Sequence, residues 1–224
     1  MYPTLFGLAL YDVIGVLGYL LILLFFLRRR NRIMFSRGGK GGVWIPLAVH
    51  LFFYTLGGAK LGDLMGRATE FFGYLLLSAV AMVLAALMQG QHPLRWLDRT
   101  MPLYGCLAAA LKLSCFCGGC CNGRAWEYGL YNQHTQQREF PIQLVEMAAY
   151  ALLTLLLRRY KGRKGQRFAL LVCGYAATRF VVQFFRADVA VFTAFHWMSA
   201  AFFAVGGVMW LLCELWHRKK QCFT

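Results

Sequence analysis

Seven apolar stretches of near-bilayer length leave this chain little freedom of fold. They run Leu5–Leu27, Val43–Leu61, Phe71–Met88, Met101–Cys121, Pro141–Leu157, Phe168–Phe185 and Val191–Trp216. A helix needs about 20 residues to cross the hydrocarbon core, and none of the stretches alternates with the period of a barrel strand. Seven such helices consume most of the 224 residues, so no separate soluble domain fits between them. Apolar residues make up 59% of the chain before its 23 glycines are added, whereas soluble domains hold about 45–50% with glycine included. An aromatic content of 16% and only five prolines exclude a disordered or collagen-like chain. The expected fold is an all-α membrane protein, with seven transmembrane helices in one polytopic domain over residues 1–224. Pro46, Pro102 and Pro141 are expected in the first turn of a span, where a missing N–H costs little, and Pro3 and Pro93 outside the spans.

Lys and Arg give the orientation. Seventeen lie in the connections after the first, third and fifth spans and in the tail, against five in the other connections. The basic side faces the cytoplasm, which places the N-terminus outside and the C-terminus inside. The runs at Arg28–Arg32 and Arg158–Lys164 are then topological signals, so the net charge of +15 calls for no nucleic-acid partner. Positive charges follow Leu5–Leu27 instead of preceding it, which is the reverse of a cleavable signal peptide.

Ionisable side chains inside a span are costly, on the order of 2.5–3.5 kcal/mol each at the helix centre, and are functional candidates by default. In the sixth span Tyr175, Arg179, Gln183 and Arg186 recur at i, i+4, i+8 and i+11, a stripe about 16 Å long on one helical face. Two guanidiniums with a phenol and an amide suit an anionic headgroup. The alternative is that Arg179 pairs internally with Glu146 or Asp12 while Arg186 marks the interface. Gln143, Glu146 and Tyr150 share a face of the fifth span. Glu146 needs a cation or a proton there; it either orients an arginine or serves as a base.

The fourth span ends in LKLSCFCGGCCNGR. Its four cysteines invite a metal, a disulfide or close packing. Adjacent Cys120 and Cys121 are not expected to point at one ion, so no metal ligand is assigned. The glycines, Gly118, Gly119 and Gly123, let backbone N–H groups approach a phosphate beside Arg124, or equally serve close helix packing.

Lys112 to Arg186 resembles the bacterial prolipoprotein diacylglyceryl transferase family. Three landmarks occur in order: a glycine-rich signature ending GCCNGR, then FPIQLVE where members read HPTQLYE, then GYAATRFVVQFFR where they read approximately YGxxRFxxEFFR. Tyr11 looks like the tyrosine of the family's first span. The chain departs from the pattern at Lys112 (arginine), Cys120 (glutamate in one branch), Phe140 (histidine), Val145 (tyrosine) and Gln183 (glutamate), and Phe72, Gly73 and Tyr74 stand where a His–Gly pair is expected.

The resemblance implies transfer of a diacylglyceryl group from phosphatidylglycerol to the lipobox cysteine of a prolipoprotein signal peptide, in the bacterial inner membrane and without a cofactor. It implies catalytic roles for Tyr11, Glu146, Tyr175 and Arg179. Substrate binding falls to Lys112, Gly119, Gly123, Arg124, Gln143, Gln183 and Arg186. Base candidates are Glu146, Tyr11, Tyr175 and His134; the other histidines are assigned structural roles. The nucleophile belongs to the acceptor, so none of the chain's own cysteines is needed for the chemistry. Two other classes use the same residues: a lipid-headgroup or anion transporter built on the arginine stripe, and a thiol-redox membrane protein built on the Cys115–Cys121 cluster, in which Cys117 and Cys120 have the C-x-x-C spacing.

Overall fold

The computed structural model describes residues 92–133, 135–187 and 192–221, with individual positions among residues 4–24 and 79–90. The span Val43–Leu61, Tyr11 and His134 lie outside the described residues. Four helices have defined bounds: α1 (Pro93–Cys117), α2 (Ile142–Arg159), α3 (Gln166–Gln183) and α4 (Ala194–Gln221). The described positions of residues 13–24 and 79–87 are also helical. Two small antiparallel pairs accompany them: β1 (Thr4–Leu5) with β2 (Leu8–Ala9), and β3 (Ala125–Asn132) with β4 (Gln137–Glu139). The architecture is thus mostly helical rather than purely so. The chain divides into two compact units, Leu21–Met101 and the union of Met1–Leu20 with Pro102–Thr224. All the site residues described below belong to the second.

The helices confirm the fifth, sixth and seventh apolar stretches to within a few residues and correct the fourth. That stretch was expected to begin at Met101, with Pro102 in its first turn; α1 instead starts at Pro93 and holds Pro102 inside. Proline at the first helical position forfeits no intrahelical bond and presets φ, so Pro93 is the natural start. Polar Arg95, Asp98 and Arg99 hid the opening turns from a purely apolar criterion. The helix ends at Cys117 because Gly118 and Gly119 follow. Gly119 adopts φ +62°, and backbone bonds from Gly118 N to Ser114 O (2.8 Å) and from Cys120 N to Cys115 O (3.1 Å) close the terminal carbonyls.

Helix α2 is inside out relative to a helix in water. It buries Gln143, Glu146, Tyr150 and Thr154 and exposes Val145, Leu152, Leu155 and Leu156. Along α4, Phe203, Val205, Val208, Leu211, Leu212 and Leu215 are exposed as well. Apolar side chains facing outward over several turns suit a hydrocarbon surrounding. Both α1 and α4 are long and apolar enough to cross a membrane.

Helix α3 packs along both α2 and α4. At one end, Glu214 ties α4 to the α2–α3 turn through Arg163 (3.0 Å) and Gln166 (3.0 Å), and its i+4 partner Arg218 closes the same cluster. At the other end, His196 Nδ1 accepts the Thr193 N–H (3.1 Å), which caps the start of α4.

Candidate functional site

Three helices converge on one carboxylate. Glu146 of α2 is fully buried; Arg179 of α3 donates to its Oε1 at 2.8 Å, and Lys112 of α1 approaches Oε2 at 2.6 Å as an ion pair outside good hydrogen-bond direction. Tyr150, one turn along α2, donates its hydroxyl to Oε1 at 3.3 Å. Its ring stacks on Tyr175 of α3 with centroids 4.8 Å apart. Thr154 continues the column, donating to the Tyr150 carbonyl at 2.7 Å. The 3.6-residue period sets these faces: Glu146 and Tyr150 of α2 meet Arg179 and Tyr175 of α3, while Thr154 lies against Gly105 of α1.

One carboxylate against two cations leaves a net positive charge among the described residues of this cluster. Arg186, also buried, stands two turns beyond Arg179. Between them, Gln183 is 1% exposed and its Oε1 accepts no hydrogen bond among the described residues. A buried acceptor without a donor is costly and marks a place for a ligand's hydroxyl or for water. The internal Arg179–Glu146 pair weighed in the sequence analysis is therefore present, and Arg186 is sequestered rather than placed at an open surface.

The glycine signature acts on the backbone. Gly123 forms an antiparallel bridge with Arg186, Arg124 N donates to Phe185 O (2.9 Å), and Ala187 N donates to Asn122 O (3.0 Å). Arg124 O in turn accepts the Phe140 N–H at 2.9 Å. The segment after α1 is thereby stitched to the start of α2 and the end of α3. A side chain at Gly123 would land on the Phe140 carbonyl. Gly123→Ala is expected to destabilise the protein by about 3 kcal/mol, since backbone cannot move aside as a rotamer can. Gly207→Ala, with open space around the added methyl, should be neutral or stabilising. Thermal unfolding of the two detergent-solubilised variants checks the contrast.

Gln143 donates to the Cys120 carbonyl at 2.7 Å, fixing the turn that precedes Gly123. Phe140, where the family pattern has histidine, stacks on Phe185 (5.1 Å) and touches Trp126 (5.4 Å). The β3–β4 hairpin was missed by the sequence reading. Its turn is locked by Glu139, which accepts from Asn132 (3.0 Å), Gln137 (3.2 Å) and Thr135. Exposed Trp126, Tyr128, Leu130 and Tyr131 line the hairpin, an aromatic-rich surface suited to a membrane interface. A pocket of about 360 Å³ opens between the hairpin and the end of α1, lined by Phe116, Gly119, Tyr131, Glu139 and Gln143 among others.

The cysteines depart from expectation. Cys115, Cys120 and Cys121 bring their sulfurs within 4.8 Å of one another, and Cys117 is not of the group. Neighbouring Cys120 and Cys121 converge because Cys121 takes φ +61°, a left-handed conformation. Hydrogen bonds with Cys115 and Cys120, helped by the charges of Lys112 and Arg186, hold the Cys121 thiol below its ordinary range.

The sequence profile for prolipoprotein diacylglyceryl transferases matches residues 6–212. The chain belongs to that family. The match extends the resemblance from Lys112–Arg186 to almost the whole chain, including the first three apolar stretches. Among individually curated proteins, none matches the chain. Membership makes the chain a membrane transferase of lipoprotein biosynthesis, acting in diacylglyceryl transfer to prolipoproteins. In this transferase the three landmarks form one place. The glycine turn, the start of α2 and the polar face of α3 meet around Glu146, Arg179 and Arg186.

Proposed function

We propose that the chain transfers the diacylglyceryl group of phosphatidylglycerol to the thiol of a prolipoprotein lipobox cysteine. The protein lies in the bacterial inner membrane as a seven-helix polytopic domain, N-terminus outside and C-terminus in the cytoplasm. The observation that carries the reading is the buried Lys112–Glu146–Arg179 cluster. It holds two cations within helices that face lipid, and an anionic headgroup is the ligand that such a net charge attracts.

In the reaction, the acceptor thiolate attacks the glyceryl carbon, a carbon–sulfur bond forms, and the carbon–oxygen bond to phosphate breaks. Glycerol phosphate leaves, and the thiol proton ends on that product or in solvent. Developing charge on the leaving phosphate is met by Arg179, Lys112 and Arg186, with Arg124 at the exposed rim. Glu146, engaged by both cations and Tyr150, aims the guanidinium and ammonium rather than taking the thiol proton. Tyr150 and Tyr175 brace it. Tyr11 remains a catalytic candidate from the resemblance. The Gln183 Oε1, which accepts no hydrogen bond among the described residues, suits a hydroxyl of the glycerol headgroup.

Expression in a bacterium depleted of its own transferase tests the whole reading. Restored growth and a prolipoprotein heavier by one diacylglyceryl group are expected. Normal membrane insertion without lipid modification would overturn it.

A further inference from the structure

We infer that the end of α1 carries a three-thiolate site for copper(I). Cys115 lies in the last turns of α1, and Cys120 and Cys121 follow the glycine turn; all three are free thiols. Sulfurs bound about 2.3 Å from a central ion in one plane sit about 4 Å apart. The three sulfurs already lie within 4.8 Å of one another, so closing on an ion needs shifts of less than an ångström. The backbone is arranged for this convergence. Gln143 pins the Cys120 carbonyl, Cys120 N bonds Cys115 O, and Asn122 O is held by Ala187 N, with Cys121 left-handed between them. A non-glycine residue in that conformation is strained, and here it turns adjacent thiols to one point.

The chemistry selects the ion. Thiolates are soft ligands that favour copper(I), zinc and iron–sulfur clusters. Zinc prefers a tetrahedral set, but no fourth cysteine, histidine or carboxylate joins the three among the described residues. Three sulfurs suit three-coordinate copper(I). Binding releases up to three protons and needs no change of oxidation state. The complex would carry two negative charges, and the charges of Lys112 and Arg186 act on the Cys121 sulfur. Exposed Cys120 provides the way in. A disulfide would use two of the three thiols and strand the third. The C-x-x-C pair of Cys117 and Cys120 is not what the fold assembles. The site does not depend on the transfer reaction.

The full chain, reduced and purified in detergent without oxygen, should take one equivalent of copper(I) from a chromophoric copper(I) chelator. X-ray absorption should find three sulfurs and no nitrogen or oxygen on the metal. Cys120→Ser, at the exposed position, should weaken binding by more than the roughly 100-fold that loss of an outer-shell partner costs. Cys106→Ser and Cys117→Ser should bind as wild type. Unchanged affinity in Cys120→Ser, failure of the reduced protein to compete with the chelator, or preferential uptake of zinc would each overturn the assignment.

Discussion

Arg179→Ala is expected to lower diacylglyceryl transfer by on the order of 10²–10³-fold, the usual consequence of removing one preorganised donor aimed at developing charge. The substitution also leaves Glu146 with Lys112 and Tyr150, so the carboxylate stays compensated and the protein should still insert. That separation matters: a loss of activity with an unchanged unfolding midpoint points to the phosphate, not to the bundle. Arg179→Lys should recover little, because an ammonium on a flexible stem cannot span Glu146 and a phosphate as a planar guanidinium can. Turnover per inserted molecule, read from the mass of a lipobox peptide, is the measurement. Near-normal turnover in Arg179→Ala would remove the arginine from the chemistry.

Glu146→Gln is expected to act through stability first. The side chain keeps its shape, but Lys112 and Arg179 lose their shared counter-charge inside the bundle. Breaking a buried pair by removing one partner costs about 3–5 kcal/mol, mostly because an uncompensated charge stays behind. Lys112→Met added to Glu146→Gln removes one stranded cation and should regain part of the loss. Unfolding midpoints of wild type, both single variants and the double variant give the coupling. Additive effects would mean that the 2.6 Å contact carries no energy.

The candidate site was largely legible as residues and poorly legible as a shape. Helical periodicity alone put Gln143, Glu146 and Tyr150 on one face and Tyr175, Arg179, Gln183 and Arg186 on another. The role of Lys112 came from the resemblance, whereas Gly118, Gly119 and Gly123 were read from the residues as a phosphate approach or close packing. The 3.6-residue repeat repeats a face but does not say what lies opposite. The convergence of Lys112 and Arg179 on the two oxygens of one carboxylate emerged only in three dimensions. The start of α1 at Pro93 was masked because polar residues near a membrane surface are as helical as apolar ones while failing an apolar test.

The sequence by itself determined that this chain lives among lipids and which side chains bear charge there, because burial of apolar surface and the cost of intramembrane charge are properties of composition and spacing. Only the tertiary structure decided that Arg124 and Arg186 are joined through backbone pairing at Gly123, that the β3–β4 hairpin is locked by Glu139, and that three thiols meet at the end of α1. Those features rest on non-local backbone bonds and on single dihedral angles, such as φ +61° at Cys121. No periodic pattern encodes them, since the Gly123–Arg186 pairing depends on two distant segments arriving at the same point and the other two on irregular turn geometry.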